Sequence, residues 1–106
     1  MSFLKKKFND QSEINIKKYT INLNSREIFS GKNKLKLTEK EVQTILYLSN
    51  SPKAVSAKEL ENNVWKYQND LETHTVETHI YRLRKKLLKS FNDKTFISSE
   101  KHGYKI

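Results

Sequence analysis

Residues 73–89, with the sequence THTVETHIYRLRKKLLK, constrain the fold of this chain more than any other segment. At about 100° per residue, four aliphatic side chains fall on one narrow stripe of a helix: Val76, Ile80, Leu83 and Leu87. The opposite face carries cations, hydrogen-bond donors and one aromatic ring: His74, Thr78, Tyr81, Arg82, Lys85 and Lys89. The pattern predicts a helix that has one side in a core and the other exposed.

The chain is basic, and its charge is unevenly distributed. The net charge is +9, and residues 76–106 hold eight Lys and Arg against three Asp and Glu. Residues 38–75 hold four Lys and Arg against six Asp and Glu. A basic C-terminal third beside an acidic middle indicates that one side faces a polyanion. Solubility alone is the alternative, since net charge keeps small proteins in solution.

Length and composition exclude several classes of protein. A chain of 106 residues with 35% hydrophobic residues suits a single small α+β domain with one modest core. No apolar run reaches the roughly eighteen residues of a membrane span, and the N-terminal lysines precede no apolar segment of a signal peptide. The absence of cysteine excludes disulfides and thiolate metal sites. Together these features favour a cytoplasmic protein.

The N-terminal part of the chain predicts strands. Residues 1–13 show no clear period and are predicted to form a flexible arm, whereas residues 14–106 are predicted to form the domain. Over residues 14–37 apolar and polar side chains alternate, and Asn24–Ser25 and Gly31–Asn33 are typical turn residues. This pattern predicts a small antiparallel sheet.

The middle of the chain predicts two helices before the basic one. Thr38 and Ser56 are each followed three residues later by Glu, which predicts a capping box at each of these helix starts. Asn50–Pro52 ends the first helix, because proline removes a backbone donor. The second helix is short and ends near Trp65, and residues 66–72 form a polar loop.

The C-terminal residues predict a hairpin. After a turn at residues 92–94, Phe96–Ile97 and Tyr104–Ile106 are expected to be two short strands around residues 99–103. The complete order is an N-terminal small antiparallel sheet, three helices and a C-terminal β-hairpin. This order predicts an α+β fold of the winged helix-turn-helix type, with the hairpin as the wing.

Four segments in this order resemble the C-terminal DNA-binding domain of OmpR/PhoB-type response regulators: LTEKEVQTILYL, VSAKELENNVW, THTVETHIYRLRKKL and ISSEKHGYKI. The similarity covers roughly residues 19–106. It implies a sequence-specific, double-stranded DNA-binding transcription regulator of bacterial two-component systems. It also implies that the third helix enters the major groove, that the wing reaches the adjacent minor groove, and that the loop at residues 66–72 can contact RNA polymerase.

The sequence departs from this family at several positions. His74 lies where the family usually has an arginine, and Lys101 replaces the first glycine of the wing. Glu100 lies where the family often has a groove-reading arginine, and a carboxylate there is repelled by phosphates. Residues 1–18 are too short for a receiver domain with its phosphorylatable aspartate, so the chain is expected to be either an excised domain or a stand-alone regulator.

We predict two sets of DNA contacts. His74, Thr78 and Arg82 are expected to face base edges, where arginine can bind guanine through two hydrogen bonds. The expected phosphate contacts come from the central helix, the wing and Trp65: Trp65, Thr75, His79, Tyr81, Arg84, Lys85, Ser98, Lys101 and Tyr104. For Trp65, burial in the core is an equally good interpretation. Asp70 and Glu72 are expected to face RNA polymerase, since DNA repels carboxylates.

Catalysis, metal binding and cofactor binding are not indicated. His74 and His79 lie five residues apart, about 140° around a helix, and therefore do not match the i, i+4 spacing of a zinc site. Two glycines provide no phosphate-binding loop, and no spacing indicates a catalytic triad. We therefore expect no enzymatic activity, no metal and no cofactor.

Two other functions remain open at this stage. A non-specific nucleic-acid-binding module would use the same positive charge with little sequence discrimination. A winged helix used for protein interaction would use the acidic middle of the chain. We also expect a monomer in solution, because the predicted core uses the apolar stripes of the helices and no long apolar surface remains for a dimer. By resemblance to the family, two copies are expected to bind tandem DNA half-sites.

Overall fold

The structure is a computed structural model that describes residues 12–65 and 73–106, with only the backbone described for Thr73 and His74. In these ranges four strands are followed by three helices and a two-stranded hairpin. The strands of the first sheet are β1 Glu13–Ile16, β2 Tyr19–Asn22, β3 Glu27–Ser30 and β4 Asn33–Lys36. The helices are α1 Glu39–Ser49, α2 Ala57–Asn63 and α3 Thr73–Phe91, and the hairpin strands are β5 Ser98–Glu100 and β6 Gly103–Lys105.

The N-terminal sheet is the predicted antiparallel meander, in the order β1–β2–β3–β4. Ile14, Ile21, Ile28 and Leu35 lie opposite one another across the four strands. Because side chains alternate between the two faces of a strand, this register puts one apolar row on one face of the sheet. β1 begins at Glu13, one residue before the predicted domain start. Ser12 is also described, and its carbonyl oxygen accepts a hydrogen bond from the Leu23 amide, whereas residues 1–11 of the predicted arm lie outside the described residues.

Local sequence signals fix the starts of α1 and α2. At α1 the Thr38 hydroxyl accepts a hydrogen bond from the Glu41 amide, and the Glu41 carboxylate accepts one from the Thr38 amide. This reciprocal pair confirms the first predicted capping box. At α2 the Ser56 hydroxyl accepts from the Glu59 amide, so the predicted helix start is confirmed, but the Glu59 carboxylate accepts from the Tyr47 hydroxyl and the reciprocal half of the capping box is not formed.

The basic helix α3 holds the core together. Its predicted stripe, Val76, Ile80, Leu83 and Leu87, is at most 2% exposed. The stripe packs in one cluster with side chains of the sheet, α1 and α2, among them Ile21, Ile45 and Leu60. α3 runs two residues beyond the predicted segment and ends at Phe91. Asn92, with a φ of 55°, follows in the left-handed conformation that often ends a helix.

The wing begins later than predicted. Phe96 and Ile97 are not strand residues, and that expectation was wrong: both side chains are buried in the core, and β5 begins only at Ser98. The two buried side chains hold the segment that leads into the wing against the core. The centre of the Phe96 ring lies 4.7 Å from that of the Tyr19 ring, edge to face. The apolar pair Phe96–Ile97 therefore packs into the core and does not form a strand.

The root of the wing is joined to the segment between α1 and α2. Val55 and Tyr104 exchange two backbone hydrogen bonds, each 2.8 Å long. Gly103 makes this approach possible. A Cβ atom at this position would lie 2.1 Å from the Val55 carbonyl oxygen, and the φ of +149° also disfavours any other residue. The hairpin is thus held against the helical core through its second strand.

The turn after α3 contains a buried carboxylate. Asp93, only 9% exposed, accepts a hydrogen bond of 2.6 Å from the Tyr19 hydroxyl. It also accepts bonds from the Thr95 amide and hydroxyl, and Lys18 lies 3.7 Å away. Burial alone would raise the pKa of Asp93, but these hydrogen bonds and the lysine outweigh it and lower the pKa to about 2. The charged group links the sheet to the end of α3.

Candidate nucleic-acid interface

The outer face of α3 points away from the core, as its period predicts. Thr78 and Lys85 lie near the centre of this face, and Tyr81 and Arg82 lie about 50° to either side. All four residues are exposed. The Tyr81 side chain is 60% exposed, and the Lys85 ammonium lies 5.3 Å from the centre of its ring. The face therefore offers cations, a hydroxyl and an aromatic ring to a partner.

One flank of α3 faces α1 and the end of α2. Trp65 is 4% exposed, and its ring stacks on exposed His79 with 5.6 Å between ring centres. The Trp65 ring thus lies in the core, which was one of the two interpretations of this residue. A phosphate contact by its indole N–H stays a prediction. Lys86, on the same flank, lies 2.9 Å from the Glu41 carboxylate.

The Lys86–Glu41 pair was not found from the sequence. The two residues are 45 positions apart, and neither belongs to a motif that points to the other. From the sequence, Glu41 is predicted to cap α1 and belongs to the acidic middle of the chain. Its side chain in fact has two partners, the Thr38 amide and the Lys86 ammonium. This double contact fixes the start of α1 against α3 and hence the orientation of α3 on the core.

The other flank of α3 faces the wing. The Arg84 guanidinium donates a 2.7 Å hydrogen bond from Nη1 to the Ser99 hydroxyl in β5. The charges on this flank shift the pKa of Tyr104, which is partly buried in β6. Burial and the Glu77 carboxylate raise its pKa, and the Arg84 cation lowers it by less. We call Arg84, Ser99 and Tyr104 the helix–wing junction.

The remaining predicted contact residues have different surroundings. The Ser98 hydroxyl donates within the wing to the Lys105 carbonyl oxygen, 3.2 Å away, so it already has a partner. Lys101 is exposed at the turn of the wing, next to exposed Glu100. Thr75 is partly buried near the start of α3. His74, Asp70 and Glu72 have side chains outside the described residues.

The arrangement brings most of the predicted residues to two neighbouring elements. Thr78, Tyr81, Arg82 and Lys85 share the outer face of α3, and the wing lies beside that face at the Arg84–Ser99 contact. Within residues 12–65 and 73–106, no cluster of His, Asp and Glu is suited to hold a metal ion. The helices of these ranges are all too short or too polar to cross a membrane.

A short helix followed by a cationic helix, with a hairpin beside the latter, defines the class of winged-helix DNA-binding domains. The chain belongs to the family described as "Transcriptional regulatory protein, C terminal", whose model matches residues 31–106. The resemblance to OmpR/PhoB-type DNA-binding domains and the predicted fold are thereby confirmed. The family binds double-stranded DNA and regulates transcription.

Relatives and solved structures agree with this assignment. The uncharacterized transcriptional regulatory protein YclJ of Bacillus subtilis is 39% identical over 90 residues, which cover 83% of this chain and 39% of YclJ. The DNA-binding domain of E. coli CadC has a TM-score of 0.77 at 25% identity, covering 91% of this chain and 92% of that domain. The chain spans less than half the length of the curated relatives it matches.

A third similar structure contains DNA. The DNA-binding domain of the response regulator AdeR, in complex with an intercistronic region, has a TM-score of 0.72 at 25% identity. The match covers 87% of this chain and 96% of that domain. A protein of this fold thus binds duplex DNA.

Proposed function

We propose that this domain recognises a particular double-stranded DNA sequence through the outer face of α3 and thereby regulates transcription in the bacterial cytoplasm, where the DNA lies. The observation that carries the proposal is the exposed row Thr78, Arg82 and Lys85, opposite the buried stripe of the same helix. A helix with such a face fits the major groove, which is about 12 Å wide. The complex of the similar AdeR domain with an intercistronic region supports DNA binding by a domain of this fold.

Two kinds of contact are proposed on this face. Arg82 and Thr78, with His74, read base edges, and arginine gives the strongest discrimination because it can bind guanine bidentately. Lys85, Tyr81 and the other predicted phosphate ligands set the position of the helix without reading sequence. Exposure of the Arg82, Tyr81 and Lys85 side chains supports a contact of each with the duplex.

The proposal is tested with an operator selected from a random DNA pool. We expect Arg82→Ala to cost about 1–3 kcal/mol on the operator and much less on scrambled DNA, because a base contact is lost. Lys85→Ala is the matched control, and it should weaken both duplexes alike and make the salt dependence shallower by about one unit. Binding of each variant is measured by titration on both duplexes at three salt concentrations.

Three outcomes of that experiment separate the alternatives. If α3 and the wing together neutralise about five to eight phosphates, the slope of log K against log salt should be roughly −4 to −7. A slope near zero would exclude nucleic-acid binding and leave the protein-interaction function. Equal losses of Arg82→Ala on operator and scrambled DNA would rule out a base-reading role for Arg82, whereas equal affinity of the wild type for the two duplexes would indicate a non-specific binder.

Assembly and partners are also proposals. We propose a monomer that occupies tandem half-sites in pairs, about one helical turn apart, which light scattering with and without operator DNA would check. RNA polymerase is the proposed partner of the loop that contains Asp70 and Glu72, because carboxylates turned toward DNA would be repelled. Alanine at both positions should then change transcription while operator affinity stays the same.

A further inference from the structure

Arg84 joins the central helix to the wing. Its guanidinium leaves α3 on the flank that faces the hairpin and donates to the Ser99 hydroxyl at 2.7 Å. We infer that Arg84 is a positioning residue, which sets the angle of the wing against α3 and thereby determines how much the wing adds to DNA affinity. The inference rests on the proposed function and goes beyond it, since Arg84 was expected only to bind a phosphate.

The wing needs a contact of this kind because it is very small. β5 and β6 have three residues each, and a two-stranded hairpin is marginally stable by itself. Its second strand is fixed, because Tyr104 pairs with Val55 through two backbone hydrogen bonds. Ser99 lies directly opposite Tyr104 in the first strand. Arg84 therefore contacts one member of this cross-strand pair, Ser99, and Val55 contacts the other, Tyr104.

Arginine suits a position between a helix and a polyanion. Its planar group carries five N–H donors and stays charged at any physiological pH. One donor reaches Ser99, and the others can face a phosphate without giving up that bond. The two functions of Arg84, positioning the wing and binding a phosphate, are therefore compatible, and they must be separated by experiment.

The angle of the wing matters because its turn carries opposite charges side by side. Glu100 and Lys101 are adjacent and both exposed. Phosphates attract the lysine and repel the carboxylate. A rotation of the hairpin that exchanges the two groups at the DNA backbone would turn a favourable contact into an unfavourable one. A wing held by Arg84 keeps one of these arrangements.

The test uses two duplexes of different length. The long one contains the selected site with the flanking minor groove beside it, and the short one ends before that flank. On the long duplex we expect roughly a tenfold loss for Arg84→Ala and a threefold loss for Ser99→Ala, within the range of the net contribution of a typical hydrogen bond. The double variant should be no weaker than Arg84→Ala alone, since both changes break the same bond.

On the short duplex the wing has nothing to bind. Ser99→Ala should then match the wild type, and Arg84→Ala should keep only the few-fold loss of a phosphate contact. Lys85→Ala is the matched control, because it removes a cation one residue along the helix without a contact to the wing. It should lose the same factor on both duplexes. Arg84→Lys, which keeps a charge and a donor, should recover part of the loss on the long duplex.

Several results would overturn the inference. They are an unchanged affinity of Ser99→Ala on the long duplex, equal losses of Arg84→Ala on both duplexes, or additive losses in the double variant. Wild-type protein that binds the long and the short duplex equally well would overturn it too. A failure of the proposed function looks different, because wild-type protein would then show no preference for the selected site. Ser99 is exposed, so Ser99→Ala should fold normally, and its DNA affinity tests the inference even if Arg84→Ala is poorly folded.

Discussion

At the scale of single residues, Gly103 in the wing has no space for a side chain. Its φ lies in the region that favours glycine, and a side chain would meet the Val55 backbone. Since the obstacle is backbone, no rotation of a neighbouring side chain can relieve it. The glycine before Tyr104 thus has a physical reason in this molecule.

We predict that Gly103→Ala destabilises the protein by at least about 2 kcal/mol, because backbone strain adds to the loss of the Val55–Tyr104 pairing. Gly31→Ala is the control. Gly31 has a φ of +60° and no atom near its missing Cβ, so the cost there is only the left-handed conformation, about 1–2 kcal/mol. Urea unfolding of both variants measures the difference. A Gly103 variant as stable as the Gly31 variant would contradict the clash.

Some residues of the site could be predicted from the sequence, and others could not. The exposed positions Thr78, Arg82 and Lys85 followed from the helical period alone, because a period places residues without knowledge of the partner. Ser99, Glu41 and Asp93 act through partners 15, 45 and 74 positions away. No local pattern records such pairs, since they depend on how the elements pack.

At the scale of elements, the starts of α1 and α2 were predictable and the start of β5 was not. Helix caps are local, because the capping side chain bonds to an amide three residues away. Phe96 and Ile97 were misassigned because an apolar pair has the same appearance in a strand and in a core anchor. Burial against Tyr19 decided between them, and burial is a property of the assembled fold.

The two partners of Glu41 can be separated by substitution. Glu41→Gln keeps an acceptor for the Thr38 amide and removes the charge that faces Lys86, so we expect a loss of about 0.5–1 kcal/mol for a partly exposed pair. Glu41→Ala also removes the cap and should cost about 1 kcal/mol more. Thermal unfolding compares the two variants with Glu39→Gln, which controls for charge at the helix start. Identical stabilities of the two Glu41 variants would rule out the capping contribution.

At the scale of the whole molecule, the Asp93 carboxylate couples stability to pH. Its pKa falls from 3.8 to about 2 in the folded protein. A lowered pKa means that the folded state holds this proton less tightly than the unfolded state. The stabilisation is therefore complete above about pH 4 and is lost as the pH falls toward 2.

We predict that Asp93→Asn lowers the free energy of unfolding by about 2 kcal/mol at pH 7, since each unit of pKa shift corresponds to roughly 1.4 kcal/mol. The difference from the wild type should shrink between pH 4 and pH 2. Urea unfolding at pH 7, 4 and 2 measures it, with the exposed carboxylate variant Glu13→Gln as control. A difference that stays constant across this range would show that packing, and not the charge, is what the variant loses.

The Tyr19–Asp93 hydrogen bond also bears on how fast the protein folds and unfolds. It joins residues 74 positions apart, and the entropy lost on closing a loop grows with its length. The helices between these residues form local contacts first, so we expect the bond to form after the rate-limiting step. Interactions made that late slow unfolding and leave the folding rate almost unchanged. The buried carboxylate would thus extend the lifetime of the native domain without hastening its formation.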